Sequence, residues 1–151
     1  MTPVKIVRLH PDARLPERAR EGDAGADLCS VAEVHLPAGG GRGLVPTGLA
    51  MELPPSTVAY VMPRSGLALR HGVTCLNAPG VIDAGYRGEL GVVLVNTDPA
   101  DDFVVRPGDR VAQLVVAELV PTRFDVVEEL DPSERGTGGF GHTGIAGSDA
   151  S

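Results

Sequence analysis

Asn77–Asn96 reads NAPGVIDAGYRGELGVVLVN, and on this stretch the fold turns. Two extended runs flank DAGYRG, a hexapeptide with the composition of a tight turn, so the segment is expected to form a β-hairpin. Asp83 and Tyr86 fall near that turn. A carboxylate on the edge of an apolar hairpin must be solvated or put to use. A polar turn tip is the plain alternative.

Outward from this stretch the same pattern recurs. Val4–Leu9, Leu44–Leu53, Thr57–Met62, Val73–Leu76, Phe103–Val105, Arg110–Leu119 and Phe124–Glu128 are strand candidates, each bounded by Gly, Pro, Asn or Asp. Twenty glycines and thirteen prolines in 151 residues interrupt the chain too often for long helices. The expected class is all-β, a barrel or jelly roll. One short helix is expected at Ser65–Arg70, with Pro63 before it and Gly72 as its stop. A single domain over residues 1–130 is expected, followed by a glycine-rich, mobile C-terminal arm over residues 131–151.

A net charge of -7 argues against a nucleic-acid polymer as partner, because such binding needs broad basic surfaces that release counterions. A small anion remains compatible, provided arginines or a metal ion gather locally around it. Aromatic residues are 3% of the chain and tryptophan is absent, so any stacking falls to a few Phe and Tyr residues. Cys29 and Cys75 lie far apart without metal-ligand spacing and read as buried apolar residues, with a disulfide as the alternative. Met1–Pro11 lacks the apolar core of a secretory signal, and no apolar run reaches the roughly 18 residues of a membrane span. A cytoplasmic protein with no membrane contact is the expectation.

Two further segments carry chemistry. PRSGLA at Pro63–Ala68 puts Arg64, Ser65 and Gly66 at a helix start, where free backbone N–H groups, a hydroxyl and a guanidinium suit a phosphate. A capped helix with an incidental arginine would look similar. RGTGGFGHTG at Arg135–Gly144 is rich in glycine like a phosphate loop, yet no GKS or GKT follows, so it is not a Walker sequence. A plain linker is the alternative. Phe140 within it makes physical sense if the arm closes over a flat ring.

These three segments, with AGADL at Ala24–Leu28 and GDRVAQL at Gly108–Leu114, resemble in order and spacing the five motifs of the dUTPase family, over nearly the whole chain. The resemblance implies a jelly-roll-like β-barrel assembled as a homotrimer, with active sites shared between subunits. It implies hydrolysis of dUTP to dUMP and pyrophosphate with Mg2+ as cofactor. By that resemblance Asp83 is the general base that activates water against the α-phosphorus. Asn77 and the main chain at Val81 and Ile82 read uracil, and Tyr86 packs on the sugar so as to reject a 2′-hydroxyl. Arg64, Ser65, Gly66 and Gln113 grip the phosphates. Asp27 holds a metal-bound water without ligating the metal. Arg135, Gly138, Gly139, His142 and Thr143 close on the γ-phosphate while Phe140 stacks on the base. Arg110 reads as a phosphate-side residue or as half of an ion pair within or between subunits.

Two other functions fit parts of the pattern. A dCTP deaminase of the same fold needs a glutamate to activate water, and Glu89 is the nearby candidate. A non-catalytic dUTP sensor has no use for a carboxylate aimed at a polyanion.

Overall fold

The computed structural model describes residues 3–139. Phe140, His142 and Thr143 lie outside the described residues. In chain order the strands are β1 (Lys5–Arg8), β2 (Ala26–Cys29), β3 (Val34–Leu36), β4 (Arg42–Glu52), β5 (Thr57–Met62), β6 (Val73–Cys75), β7 (Gly80–Asp83), β8 (Glu89–Asn96), β9 (Phe103–Val105) and β10 (Arg110–Glu118). Among the described residues the one helix is α1 (Ser65–His71), between β5 and β6.

The strands form two antiparallel sheets, ordered β1-β4-β8-β6 and β2-β10-β5-β7, and a small ladder of β3 with β9. This is the expected all-β, jelly-roll-like architecture. Period-two alternation drives the packing: along β8 the side chains of Leu90, Val92 and Leu94 are fully buried while Gly91 and Val93 between them are less so. Leu28, Ala59, Val61, Ala112 and Leu114 from the other sheet complete one core with Val45, Leu49 and Met51 of β4. Asn96 is fully buried, and its amide would cost several kcal/mol unpaired. It donates to the carbonyls of Leu36 (3.1 Å) and Asp101 (2.9 Å) and accepts from the Asp98 N–H (3.0 Å), tying β8 to β3 and the turn before β9.

α1 stops where expected. Gly72 takes the left-handed conformation (φ 62°), its N–H bonds to the Ala68 carbonyl, and a Cβ there would lie 2.9 Å from the Asp98 nitrogen.

Three expectations need correction. The runs flanking DAGYRG do not pair with each other: β7 pairs with β5, whereas β8 lies between β4 and β6 in the other sheet. The turn between them is therefore a crossing from one sheet to the other. Phe124–Glu128 forms no strand, and Phe124 and Val126 stand fully exposed. β2 and β3 are strands that propensity did not reveal. By its internal contacts the chain divides into a unit ending at Pro121 and a second beginning at Thr122. No helix among the described residues is long and apolar enough to cross a membrane.

Candidate active site

The sheet β2-β10-β5-β7 gathers several functional side chains at one end. Gln113 of β10 lies opposite Asp27 of β2 on one side and Met62 of β5 on the other, so the register itself brings these strands' residues to one place. β5 then runs through Pro63 into α1, carrying Arg64, Ser65 and Gly66 to the same end. Together with Gly25 and Arg110 these residues line a concavity of about 390 Å³.

Asp27 organises it. One carboxylate oxygen meets Arg64 Nε at 3.1 Å and the other meets Arg110 Nη1 at 3.2 Å. Arg64 Nη1 also donates to the Arg110 carbonyl at 3.0 Å, closing a triangle. Arg64 is free to do this because it occupies the N-cap of α1 in an extended conformation without a side-chain capping bond. An arginine cannot accept the bonds a capping serine would accept, so the first-turn N–H groups at Ser65 and Gly66 border the cleft without a capping side chain. Gln113 Nε2 donates to the Pro63 carbonyl at 2.9 Å, which fixes the carboxamide against the strand end. Arg110 thus forms the intrachain ion pair, one of the alternatives left open by the sequence.

Gly25 is required by closeness rather than by turn geometry. A Cβ there would sit 2.2 Å from Gln113 Oε1 and 2.9 Å from Gln113 Cδ. Sequence reasoning did not single it out. The small residues around it in AGAD were the available signal.

Asp83, Tyr86, Asn77, Val81 and Ile82 are not part of this cleft. Asp83 pairs opposite Val58, four positions along β5 from Met62, so about 13 Å separates the two ends of that strand. β7 is the edge strand of its sheet, leaving one side of its backbone unpaired. The side chain of Asp83 is exposed, Ile82 packs partly on the core, and Asn77 and Val81 are exposed. Tyr86 Oη donates to the Glu89 carbonyl at 2.9 Å, and its ring leaves no room for a side chain at Gly88, where a Cβ would lie 2.4 Å from that oxygen. In the second unit Arg135 Nε donates to the Gly138 carbonyl at 2.9 Å in a local turn, and Gly139 follows it.

Glu89 is committed to structure. Its Oε1 accepts the Gly48 N–H at 2.7 Å, at the register shift of β4 against β8. Among the described residues no group of three or more His, Cys, Asp or Glu side chains is arranged to hold a metal. Asp27 and Asp23 border the cleft with hard oxygen donors, and the single charge of Asp27 is shared between two guanidiniums. Hard oxygen donors of this kind suit Mg2+. Both cysteines are free and buried, and burial raises both thiol pKa values, Cys75 to about 11.

A jelly-roll-like barrel with a cleft at one sheet end that holds two guanidiniums and uncapped helix N–H groups has the chemistry to receive a phosphate-bearing small molecule. The dUTPase family model matches residues 11–144. The chain is 52% identical to the deoxyuridine 5'-triphosphate nucleotidohydrolase of Rhodococcus erythropolis, over 93% of this chain and 85% of that one. It is 50% identical to the protein of the same name from Clostridium acetobutylicum, over 96% and 99%. The structure of Staphylococcus bacteriophage 80alpha dUTPase with dUpNHpp superposes with a TM-score of 0.86 at 27% identity, covering 96% of this chain and all of that one. A mutant dUTPase from phage phi11 of S. aureus, described with a structural Mg(II) ion, gives 0.75 at 26% identity over 86% and 99%. The chain belongs to the dUTPase family.

Proposed function

We propose that this dUTP diphosphatase cleaves dUTP to dUMP and pyrophosphate by in-line attack of a water, activated by Asp83, on the α-phosphorus. The observation that carries the mechanism is the position of Asp83: an exposed carboxylate ending a free-edged strand, one residue from the main chain of Ile82 and three from Tyr86. The unpaired edge of β7 offers alternating N–H and C=O groups that complement the Watson–Crick edge of uracil, with Asn77 alongside. Cytosine presents the reversed pattern and would leave those groups unpaired, a mismatch that can cost about 10⁴-fold in selectivity. The ring of Tyr86, held by its hydroxyl, excludes a ribose 2′-hydroxyl.

Asp83 takes a proton from the attacking water as the new P–O bond forms, and pyrophosphate departs on the opposite side. Arg64, Ser65, Gly66 and Gln113 bind the phosphates, and Arg135, Gly138, Gly139, His142 and Thr143 close over the γ end with Phe140 on the base. When bound, Mg2+ would neutralise charge on the phosphates, and Asp27 would hold water beside it.

Within one chain Asp83 and the Arg64–Gln113 cleft stand at opposite ends of β5. This separation supports a homotrimer in which each site is completed by neighbouring copies. The engagement of Glu89 with Gly48 disfavours a deaminase. The test is pyrophosphate release from dUTP, dTTP, dCTP and UTP, each with and without magnesium. Release confined to dUTP and dependent on the metal is expected. Ammonia release from dCTP, or indifference to the base, would overturn the assignment.

A further inference from the structure

Arg87 ties together the turn that carries the specificity residues. Its Nη1 donates to two carbonyls of that turn, Ala84 at 2.7 Å and Tyr86 at 2.9 Å. Its Nη2 lies 3.9 Å from Glu52 Oε2, and the other oxygen of Glu52 accepts from Lys5 Nζ at 2.9 Å. Asp83 closes the turn from its start, its carbonyl accepting the Tyr86 N–H at 3.0 Å. Tyr86 closes it from its end, through the bond of its hydroxyl to the Glu89 carbonyl.

The consequence lies in the topology. β7 and β8 belong to different sheets, so no ladder hydrogen bonds hold the 84–88 crossing as they would hold a hairpin. Its shape depends on one backbone turn bond and these few side-chain bonds. The ring of Tyr86 hangs from a peptide whose carbonyl Arg87 grips, and the same guanidinium reaches toward Glu52 on β4 of the opposite sheet.

We propose that Arg87 is a positioning residue for sugar selection: by holding the Ala84 and Tyr86 carbonyls it fixes the Tyr86 ring where a 2′-hydroxyl would collide. The proposal rests on the assignment of Tyr86 to the sugar. Without the guanidinium the crossing gains freedom, the ring gives way, and UTP is admitted. Charge-assisted bonds to two carbonyls explain why a basic residue stands here. Lysine could keep one or both carbonyl bonds but has no second nitrogen for Glu52.

The experiment compares kcat/KM for dUTP and UTP in the wild type, Arg87→Ala, Arg87→Lys and Tyr86→Ala, with thermal melting of each. Arg87→Ala is expected to lower the dUTP-to-UTP ratio by at least about tenfold, with kcat on dUTP changed less than about threefold. Arg87→Lys is expected to recover most of the ratio. A merely structural role would depress both substrates equally and leave the ratio alone. If Tyr86→Ala collapses the ratio while Arg87→Ala preserves it, the proposal is overturned and the assignment of Tyr86 stands. If Tyr86→Ala preserves it, the assignment of Tyr86 falls, and this proposal with it.

Discussion

Replacing Gly25 with alanine drives a methyl group to within 2.2 Å of Gln113 Oε1 and 3.1 Å of Gln113 Cβ. Contacts this short reach the stem of the side chain as well as its tip, so the glutamine must leave its rotamer. It then loses its 2.9 Å bond to the Pro63 carbonyl and its place in the cleft. For the fold the cost is one neutral hydrogen bond plus modest overpacking, about 1 to 2 kcal/mol. In a chain of 151 residues that lowers Tm by several degrees at most. Under the role proposed for Gln113, the loss for catalysis is a hydrogen bond to a charged phosphate, worth about 1.5 to 3 kcal/mol, which corresponds to about 10- to 150-fold in kcat/KM. Steady-state pyrophosphate release beside calorimetry separates the two effects. The double variant Gly25→Ala/Gln113→Ala should be at most slightly worse than Gln113→Ala alone, because truncation removes the atoms at 2.2 and 2.9 Å and leaves only the 3.1 Å contact with the retained Cβ. Parental activity in Gly25→Ala, or losses that multiply in the double variant, would refute the role given to this contact.

Hydrolysis in ¹⁸O-labelled water should place the label in dUMP under the proposed attack at the α-phosphorus; label in pyrophosphate would move the attack to the β-phosphorus. Burial pushes the Cys75 thiol from the ordinary 9.0 up to about 11, because desolvation penalises the thiolate. As pH rises the unfolded chain loses this proton first, so the stability contributed here is intact below pH 9 and is lost toward pH 11. The decline should approach about 1.4 kcal/mol per pH unit, measurable as a falling urea midpoint. Neither cysteine should react with a thiol reagent at pH 8 until the chain unfolds; rapid labelling of the folded protein would contradict their burial.

Strands with apolar, β-branched or aromatic runs bounded by turn residues were legible in the sequence, and Thr57–Met62 and Phe103–Val105 match residue for residue. β2 and β3 escaped because Asp27 and His35 interrupt their apolar character, whereas the equally short Phe103–Val105 is apolar throughout. Asn77–Asn96 was correctly read as two extended runs about a turn, yet their partners were misjudged. Pairing with β5 on one side and β4 on the other is set by the non-local core, which local turn chemistry cannot encode. Phe124–Glu128 has an apolar pattern without a partner strand among the described residues, and alternation alone does not make a ladder. At the cleft, the short helix that begins after Arg64 was legible from its residue types. The double ion pair on Asp27 was not, since it arises from the β2–β10 register and the irregularity between Arg110 and Ala112. Arg87 stayed hidden for the same reason: its partners are backbone carbonyls, and a sequence does not display their direction.

Asp83→Asn keeps the shape of the β7 terminus and the hydrogen-bonding capacity of the side chain but removes the proposed base. Turnover of dUTP by this variant, measured as pyrophosphate release beside a titration of dUTP binding, should fall by at least about 100-fold while affinity stays within a few-fold of the parent. Hydrolysis at the parental rate by a variant that binds dUTP normally would show that another group activates the water.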